Sequence, residues 1–273
     1  MKVSVIIPTY RPQDYLWDCL SSLKEQTMNK DDFEVIIVLN GCCEPYKSSI
    51  ERWISSNSLP NFILFQTDIA GVSNARNLAL DNARGLYITF IDDDDYVSPT
   101  YIEELYNNAS ADVVALCYPL SFIDGTKDFC PYYITQDYLK NHTQSPCSYK
   151  KARRFFSGSV YKLIDKNIIG NRRFNCSFKN GEDSIFMFEI SDRFKDVSFS
   201  GPNAVYYRRI RNGSALLRKK SVREVLKNCV RMIIAYSKIY FRHPFRYSFG
   251  FFITRVLGAI HGAMEQFSFR RVS

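Results

Sequence analysis

The sequence has little histidine and no long apolar run. His142, His243 and His261 are too scattered along the chain to indicate a zinc site or a catalytic histidine pair. No stretch reaches the roughly 18 apolar residues that a membrane-spanning helix needs. The apolar run at residues 3–7 is too short for the core of a signal peptide, so we interpret it as a strand.

The eight cysteines show no pairing pattern. No two of them form a Cys-x-x-Cys pair or stand at a zinc-finger spacing. Cys42 and Cys43 are adjacent and would bridge each other only under strain. We therefore expect reduced cysteines and a cytoplasmic protein.

Composition places the chain among ordinary globular proteins, with an uneven charge. Its 273 residues, 46% hydrophobic and 23% charged, suit one large α/β domain or a domain with an appendage, and exclude a disordered chain. Residues 1–145 contain 10 Lys+Arg and 20 Asp+Glu, whereas residues 146–273 contain 26 and 8. The acidic half suits a metal, and the basic half suits an anionic surface, ligand or polymer.

Strands and helices are predicted to alternate in the first part of the chain. Short apolar runs indicate buried strands at 3–7, 33–39, 62–66, 86–91 and 112–117, and helical spacing of apolar residues indicates helices at 12–26, 45–56, 72–83 and 98–108. This series predicts an α/β fold with a mostly parallel sheet flanked by helices. The middle, 118–215, is less regular, with helices near 150–154 and 181–193 and strands at 197–200 and 204–209.

Four consecutive aspartates, at 92–95, follow the predicted strand at 86–91. A parallel strand delivers such residues to the carboxyl edge of the sheet, where open α/β folds bind ligands. Four adjacent like charges repel one another and need a partner. Mg²⁺ or Mn²⁺ prefers such oxygen ligands and commonly brings a phosphate-bearing substrate. The alternative is a solvated acidic turn that caps the next helix.

Three ordered blocks resemble the family 2 glycosyltransferases. They are Val-Ser-Val-Ile-Ile-Pro-Thr-Tyr at 3–10, Gly-Val-Ser-Asn-Ala-Arg-Asn at 71–77 leading through Gly-Leu-Tyr to the aspartates, and Gly-Glu-Asp-Ser-Ile-Phe at 181–186. The resemblance implies a GT-A catalytic domain at 1–215, with a nucleotide-sugar and metal-binding half at 1–117 and an acceptor-binding half at 118–215. In one departure, Leu-Asn-Gly-Cys stands at 39–42 where the family commonly shows Asp-Asp-Gly-Ser.

The resemblance implies an inverting, metal-dependent transfer of a sugar from a nucleotide diphosphate sugar. It assigns Mn²⁺ or Mg²⁺ to Asp94 and Asp92, and it makes Asp183 the base, with Glu182 as an alternative or a positioning partner. Asp95 would orient the other aspartates. UDP is the preferred nucleotide, since the amide of Asn40 can donate to and accept from a uracil edge. The nucleotide-sugar contacts would be Pro8, Thr9, Tyr10, Arg11, Asn40, Arg76, Asp92, Asp93, Arg208 and Arg211.

Each of these assignments has a simpler structural alternative. Glu182 and Asp183 stand at the start of a predicted helix, where a carboxylate commonly acts as a cap. Arg76 could be an ordinary surface arginine of its helix. Arg208, Arg209 and Arg211, with Ser214, could belong to a solvated basic loop. These alternatives stay open at the level of sequence.

Residues 216–273 predict a basic tail of two amphipathic helices, one near 222–241 and one from about 245. The tail suits an anionic membrane at its inner face, but packing on the catalytic domain or a homo-oligomer interface fits equally well. No nucleic-acid-binding motif is present. We expect an enzyme of cell-envelope polysaccharide or glycolipid assembly with a saccharide or polyprenyl-linked acceptor. The rivals are a sugar nucleotidyltransferase and a degenerate, non-catalytic transferase fold that binds membranes or polyanions.

Overall fold

The computed structural model describes residues 1–126, 128–211 and 221–268. Its strands are β1 (Val3–Thr9), β2 (Phe33–Asn40), β3 (Phe62–Thr67), β4 (Tyr87–Phe90), β5 (Tyr96–Val97), β6 (Val113–Leu116), β7 (Tyr118–Ile123), β8 (Phe129–Cys130), β9 (Cys147–Ser148), β10 (Lys162–Asp165), β11 (Asp196–Phe199) and β12 (Val205–Ile210). Its helices are α1 (Tyr15–Lys24), α2 (Tyr46–Ser56), α3 (Val72–Asn82), α4 (Tyr101–Asn108), α5 (Tyr133–Asn141), α6 (Lys166–Ile169), α7 (Glu182–Ile190), α8 (Val222–Arg242) and α9 (Phe249–Ser268).

The main sheet has eight strands in the order β3-β2-β1-β4-β10-β6-β11-β9. The pairs from β3 to β4 are parallel, as is the pair β6–β11, whereas β10 runs antiparallel to both of its neighbours. Every side chain of β1 and β2 is buried, as expected for central parallel strands covered on both faces. The predicted α/β fold with a mostly parallel sheet is confirmed.

A buried carboxylate in β2 connects β1, β2 and the turn that leads into β4. Glu34 is fully buried in β2 and accepts hydrogen bonds from Ser4 Oγ at 2.7 Å and from the backbone N of Arg84 at 2.7 Å. The Arg84 guanidinium neutralises it through a 2.7 Å ion pair. A Cβ at Gly85 would collide with the backbone of Ser4, so only glycine fits where the chain enters β4.

The carboxyl ends of three adjacent strands meet at one edge of the main sheet. In the parallel registers, Ile6 of β1 lies beside Phe90 of β4, and Thr9 lies beside Leu39 of β2. The residues that follow β4 therefore lie next to the end of β1. This register brings the four aspartates to the edge at which ligands bind in such folds.

A second sheet, in the order β5-β12-β7-β8, contacts the aspartate run through β12. Asp95 is 3% exposed and accepts hydrogen bonds from Tyr206 Oη and the backbone N of Arg209, both at 2.7 Å. Asp95 thus joins the aspartate run to β12. Its predicted orienting role toward the other aspartates stays a prediction.

The C-terminal helices pack on the rest of the domain through one side. Tyr236 of α8 is buried and donates from Oη to Ser184 Oγ of α7 at 2.8 Å. Arg255 of α9 is also buried, and its guanidinium donates to the carbonyl oxygens of Phe156 and Arg153, both at 3.0 Å. One of the three uses predicted for the tail, packing on the catalytic domain, is therefore observed.

The structure contains elements that the sequence did not indicate. In the middle of the chain, which was expected to be less regular, they include β7, α5 and β10. The helix predicted near 150–154 is wrong, because turns precede a short 3-10 helix at Arg153–Ser157. α9 begins at Phe249, four residues later than predicted. All eight cysteines are free, as expected.

Parts of the predicted tail and its boundary lie outside the described residues. They are the boundary at 215, Ser214, residues 216–220, and Arg270 and Arg271. The division of 1–215 into two halves stays a prediction. None of the helices in the described part of the chain has the length and apolarity to cross a membrane.

Candidate active site

Arg76, a buried arginine, joins the aspartate run to the acidic residues at the start of α7. Arg76 is 3% exposed on α3, a helix that packs on β1 and β2. Its Nη2 donates to Asp92 Oδ1 at 2.9 Å and its Nη1 to Asp183 Oδ1 at 2.7 Å. The guanidinium also lies 5.3 Å from the centre of the Phe174 ring. Arg76 is therefore no ordinary surface arginine, because it holds the aspartate run and the start of α7 together.

The two carboxylates at the start of α7 do not cap that helix. Gly181 is the N-cap residue, in a left-handed conformation with φ of 85°, and no side chain makes a capping hydrogen bond. Asp183 pairs with Arg76 instead and keeps 27% of its side chain exposed. Glu182 is nearly buried, 3.9 Å from the guanidinium, and its Oε2 lacks a hydrogen-bond partner among the described residues. Asp183 is thus the carboxylate of this pair that a substrate can reach.

Four carboxylates of the site have a pKa above the usual value. Desolvation raises the pKa of Asp92 to about 6, together with the charges of Asp94 and Asp183 and against the lowering effect of Arg76. Desolvation also raises the pKa of Asp93 and of Glu182 to about 7 each. The pKa of Asp95 lies well above its usual value, mainly through burial. Such shifts are concentrated where chemistry is done.

Asp93 offers a test of this electrostatic picture. Because its folded-state pKa of about 7 lies above the usual 3.8, folding disfavours the charged carboxylate and stability falls as pH rises from about 4 to 7. Asp93→Asn keeps an acceptor for Thr9 Oγ1, which donates to Asp93 at 2.5 Å. We expect the metal-free variant to melt higher than the parent at pH 8 and at a similar temperature at pH 4. Calorimetric melting across this range checks it, and a lower melting temperature at pH 8 would contradict it.

The nucleotide contacts predicted at the ends of β1 and β2 lie beside the loop before α3. Tyr10 is half exposed beside Gly41, and the Arg11 guanidinium lies 5.2 Å from the centre of its ring. Gly41 has φ of 66°, and a Cβ there would come within 2.5 Å of the Ala70 Cβ. An exposed ring beside a tight glycine turn suits the flat face of a nucleotide base. The predicted contacts of Tyr10 and Arg11 fit this place and stay predictions.

Asn40 and Pro8 are less available to a ligand than their predicted roles require. Asn40 is buried; its Nδ2 donates to the Thr9 carbonyl oxygen at 2.7 Å and its Oδ1 accepts from the Gly71 backbone N at 2.8 Å. Pro8 is buried within β1 beside Val38. The amide of Asn40 therefore holds three loops together, and its contact with a base stays a prediction.

The arginines of β12 separate onto two sides of the strand. Arg211, directly after β12, forms a 2.7 Å ion pair with Asp94 and lies over the ring of Tyr15. Arg208 points the other way, 5.1 Å from the centre of the Tyr132 ring and near Ser121. Of the two predicted contacts, Arg211 lies at the aspartates, while Arg208 lies among aromatic residues of the predicted acceptor half.

Arg209 was not among the predicted site residues, although it contacts the aspartate run directly. Its Nε donates to the Asp94 carbonyl oxygen at 2.8 Å, and its two terminal nitrogens pair with Asp124 and Asp18 at 2.7 Å. Alternation along a strand was the available signal, since residues 209 and 211 must lie on one face and 208 on the other. Tyr206 and Tyr15, which contact Asp95 and Arg211, gave no such signal.

The chemistry of Asp92 and Asp94 fits a divalent cation shared with a substrate. No group of three or more His, Cys, Asp or Glu side chains in the described residues is arranged to hold a metal alone. Mg²⁺ often binds through one or two carboxylates while substrate phosphates and waters supply the remaining oxygens. Asp94 already accepts a cation, the Arg211 guanidinium, so positive charge is favourable at this point. Metal binding stays a prediction.

Comparison with known proteins relates this architecture to a family. Residues 4–178 match the family described as Glycosyl transferase family 2. The putative glycosyltransferase EpsH of Bacillus subtilis is 29% identical over 216 residues, 76% of this chain and 60% of EpsH, so the chain spans less than two thirds of that relative.

A second relative and a solved structure extend the comparison. The GalNAc(5)-diNAcBac-PP-undecaprenol beta-1,3-glucosyltransferase of Campylobacter jejuni is 25% identical over 242 residues, 87% of this chain and 72% of that protein. The crystal structure of S. aureus TarS in complex with UDP-GlcNAc superposes with a TM-score of 0.69 at 22% identity, covering 88% of this chain and 67% of that one. Since the family match covers more than half of the sequence, this chain belongs to glycosyl transferase family 2.

Proposed function

We propose that this protein is an inverting glycosyltransferase that moves a sugar from a nucleotide diphosphate sugar to an acceptor hydroxyl. The observation that carries the proposal is the double ion pair of Arg76 with Asp92 and Asp183. Asp92, the carboxylate proposed to lie near the diphosphate, and Asp183, the candidate catalytic base, pair with different nitrogens of one guanidinium. An inverting transfer needs such an arrangement, with the leaving group and the base on opposite sides of the sugar.

The roles of the chain's own residues follow from this geometry. Tyr10 and Arg11 border the surface for the nucleotide base. Thr9 and Asp93 lie between the places of the nucleotide base and the diphosphate. Asp94 and Asp92 would hold Mn²⁺ or Mg²⁺, which neutralises charge that develops on the leaving diphosphate. Asp183 accepts the proton of the acceptor hydroxyl as that oxygen attacks the anomeric carbon and the bond to the diphosphate breaks.

Arg211 is proposed to contact the diphosphate. It pairs with Asp94 and is only partly buried, with 24% of its side chain exposed. A guanidinium presents paired donors that match phosphate oxygens. Arg208 would act on the acceptor side, where its cation lies against Tyr132.

The finer parts of the proposal concern donor, acceptor and location. UDP is the proposed nucleotide, which agrees with the UDP-GlcNAc bound by the structural neighbour TarS. A saccharide carried on a polyprenyl diphosphate is the proposed acceptor class, in line with the undecaprenol-linked substrate named for the Campylobacter relative. Such an acceptor would place the enzyme at the inner face of the membrane, in envelope polysaccharide or glycolipid assembly. A homo-oligomer built through the same tail is the competing arrangement.

Release of nucleoside diphosphate from a panel of UDP-, GDP- and dTDP-sugars tests this proposal. We expect turnover of one donor that needs Mn²⁺ or Mg²⁺ and stops on addition of EDTA. Asp94→Asn should lower it by at least about a hundredfold, because the cation that would neutralise the leaving diphosphate loses a carboxylate ligand. The control is Asp112→Asn, an exposed carboxylate directly before β6, at the edge of the main sheet opposite the aspartates, which should leave the rate unchanged.

Two results would contradict the proposal. Equal rates for the parent and Asp94→Asn would remove Asp94 from the reaction. Absence of both turnover and donor binding with every metal, and with a lipid-linked acceptor added, would favour the non-catalytic alternative.

A further inference from the structure

Outside the sides that pack on the domain, α8 and α9 present exposed apolar side chains. On α9, the buried side consists of Phe251, Phe252, Arg255 and Ala259. The opposite side presents apolar side chains that are 36% to 62% exposed, at Phe249, Ile253, Leu257, Ile260 and Met264. At about 100° per residue these five fall within an arc of roughly 80°. They form one continuous outward stripe along the helix.

α8 carries a similar stripe next to its buried side. Val222, Leu226, Val230 and Ile234 recur every four residues and are 45% to 55% exposed. Tyr236 and Val225 are the buried residues of this helix, so the stripe is additional to the side that packs on the domain. We call the two stripes, with Phe241 and Phe245, the apolar face.

The connection between the helices adds the most exposed aromatic side chain of the described residues. Phe245 is fully exposed, between α8 and α9, and Phe241 in the last turn of α8 is 68% exposed. Arg242 and Arg246 flank them. Exposed aromatic residues next to arginines fit a lipid interface, where the ring enters the apolar layer and the guanidinium stays at the level of the headgroups.

The charge around the apolar face has one predominant sign. Along α8, the exposed cations Arg223, Lys227 and Lys238 follow the edge of the stripe. Within residues 221–268 the acidic side chains are Glu224 and Glu265 alone, and Glu265 pairs with His261. The face is therefore apolar in the middle and cationic at the edge.

We propose that the apolar face of α8 and α9 binds the surface of an anionic lipid bilayer. Acyl chains would cover the stripes, and lipid phosphates would pair with the flanking arginines and lysines. A second copy of the chain fits less well, because a two-fold contact would set the cationic edges of both copies near each other. This inference deepens the proposed function, since a lipid-linked acceptor would lie on the same surface.

Sedimentation of the full chain with vesicles tests the inference without any catalytic step. We expect binding to vesicles of equimolar phosphatidylglycerol and phosphatidylcholine, weak binding to phosphatidylcholine alone, and loss of binding at high salt. The double variant Phe245→Ser, Leu257→Ser should lower the partition coefficient at least about tenfold, because two exposed apolar side chains leave the lipid. The variant Arg223→Gln, Lys227→Gln, Lys238→Gln should lower binding to the anionic vesicles only.

Matched controls exist elsewhere on the surface. Phe129→Ser with Leu139→Ser replaces a phenylalanine and a leucine that are 60% and 50% exposed on other elements. Lys30→Gln, Arg52→Gln and Lys140→Gln remove three exposed cations far from the tail in sequence. Both sets should leave binding unchanged, and unchanged circular dichroism and melting show that the variants are folded.

Three outcomes would overturn the inference. Absence of the parent chain from the anionic vesicle pellet is the first. Equal losses in the control and test variants is the second. The third is a dimer in light scattering that Phe245→Ser, Leu257→Ser dissociates while vesicles bind neither form, which would make the face an interface between copies. Because sedimentation needs no donor turnover, this failure and that of the proposed function are distinguishable.

Discussion

Replacement of Asp183 by asparagine is expected to lower kcat by about 10²–10⁴, the range that a general base contributes. The amide cannot take the proton of the acceptor hydroxyl. Its oxygen can still accept from Arg76 Nη1, which lies 2.7 Å from the carboxylate, so the fold and the donor surface should be retained. Steady-state transfer gives kcat, and calorimetric titration of the donor should show a dissociation constant within a few-fold of that of the parent.

Glu182→Gln is the matched control for this result. Glu182 is adjacent on α7 but nearly buried, with a pKa raised to about 7 by desolvation and by the charge of Asp183. We expect a loss of tenfold or less, through altered charge around Arg76. If Glu182→Gln instead abolishes transfer and Asp183→Asn is mild, the base is Glu182 and the assignment is reversed.

Replacement of Arg76 by methionine is expected to cost about 3–5 kcal/mol of unfolding free energy at pH 8. Methionine fills a similar apolar volume but leaves Asp92, Asp183 and Glu182 without their shared cation. Removal of one partner from a buried ion pair has a cost of this order. Urea unfolding at pH 8 measures it, and transfer activity should be lost with it because the two halves of the site are no longer joined.

The pH dependence of the stability lost in Arg76→Met distinguishes an electrostatic cause from a packing cause. In the parent protein the pKa values of Asp92 and Glu182, about 6 and 7, already lie above the usual values, and loss of the cation raises them further. Both groups are then protonated at pH 5, so the variant should lose less stability there than at pH 8. Arg154→Met removes a half-exposed arginine from its pair with Asp137 and should cost under about 1 kcal/mol at either pH, since the arginine is already largely hydrated. An Arg76→Met penalty that does not change with pH would point to packing instead.

The fold was predictable where apolar strands alternate regularly with helices along the chain. β1 to β4 and α1 to α3 follow directly from such runs. β10 was not predictable in this way, because it is only four residues long and begins with a lysine. Lys162 is fully buried, and its Nζ donates to the carbonyl oxygens of Gly158 and Val160. A charged residue satisfied by backbone carbonyls gives no apolar signal in the sequence.

The candidate site was predictable in composition but not in its connections. Aspartates after a strand and a Gly-Glu-Asp block identify the carboxylates, yet they are separated by about ninety residues in the chain. Only the folded arrangement shows that Arg76 contacts both groups. In the same way, Asp95 was expected to support its neighbours, and the structure shows it bonded to Tyr206 and Arg209 of β12.

The side-chain amide of Asn40 restricts which residues this position can accept. Its side chain must donate on one side, to Thr9, and accept on the other, from Gly71. A carboxylate can only accept, so an aspartate here would face the Thr9 carbonyl oxygen with an unfavourable contact. The departure from the family's Asp-Asp-Gly-Ser is therefore tied to its surroundings: an aspartate at this position would also require changes in the turns after β1 and before α3.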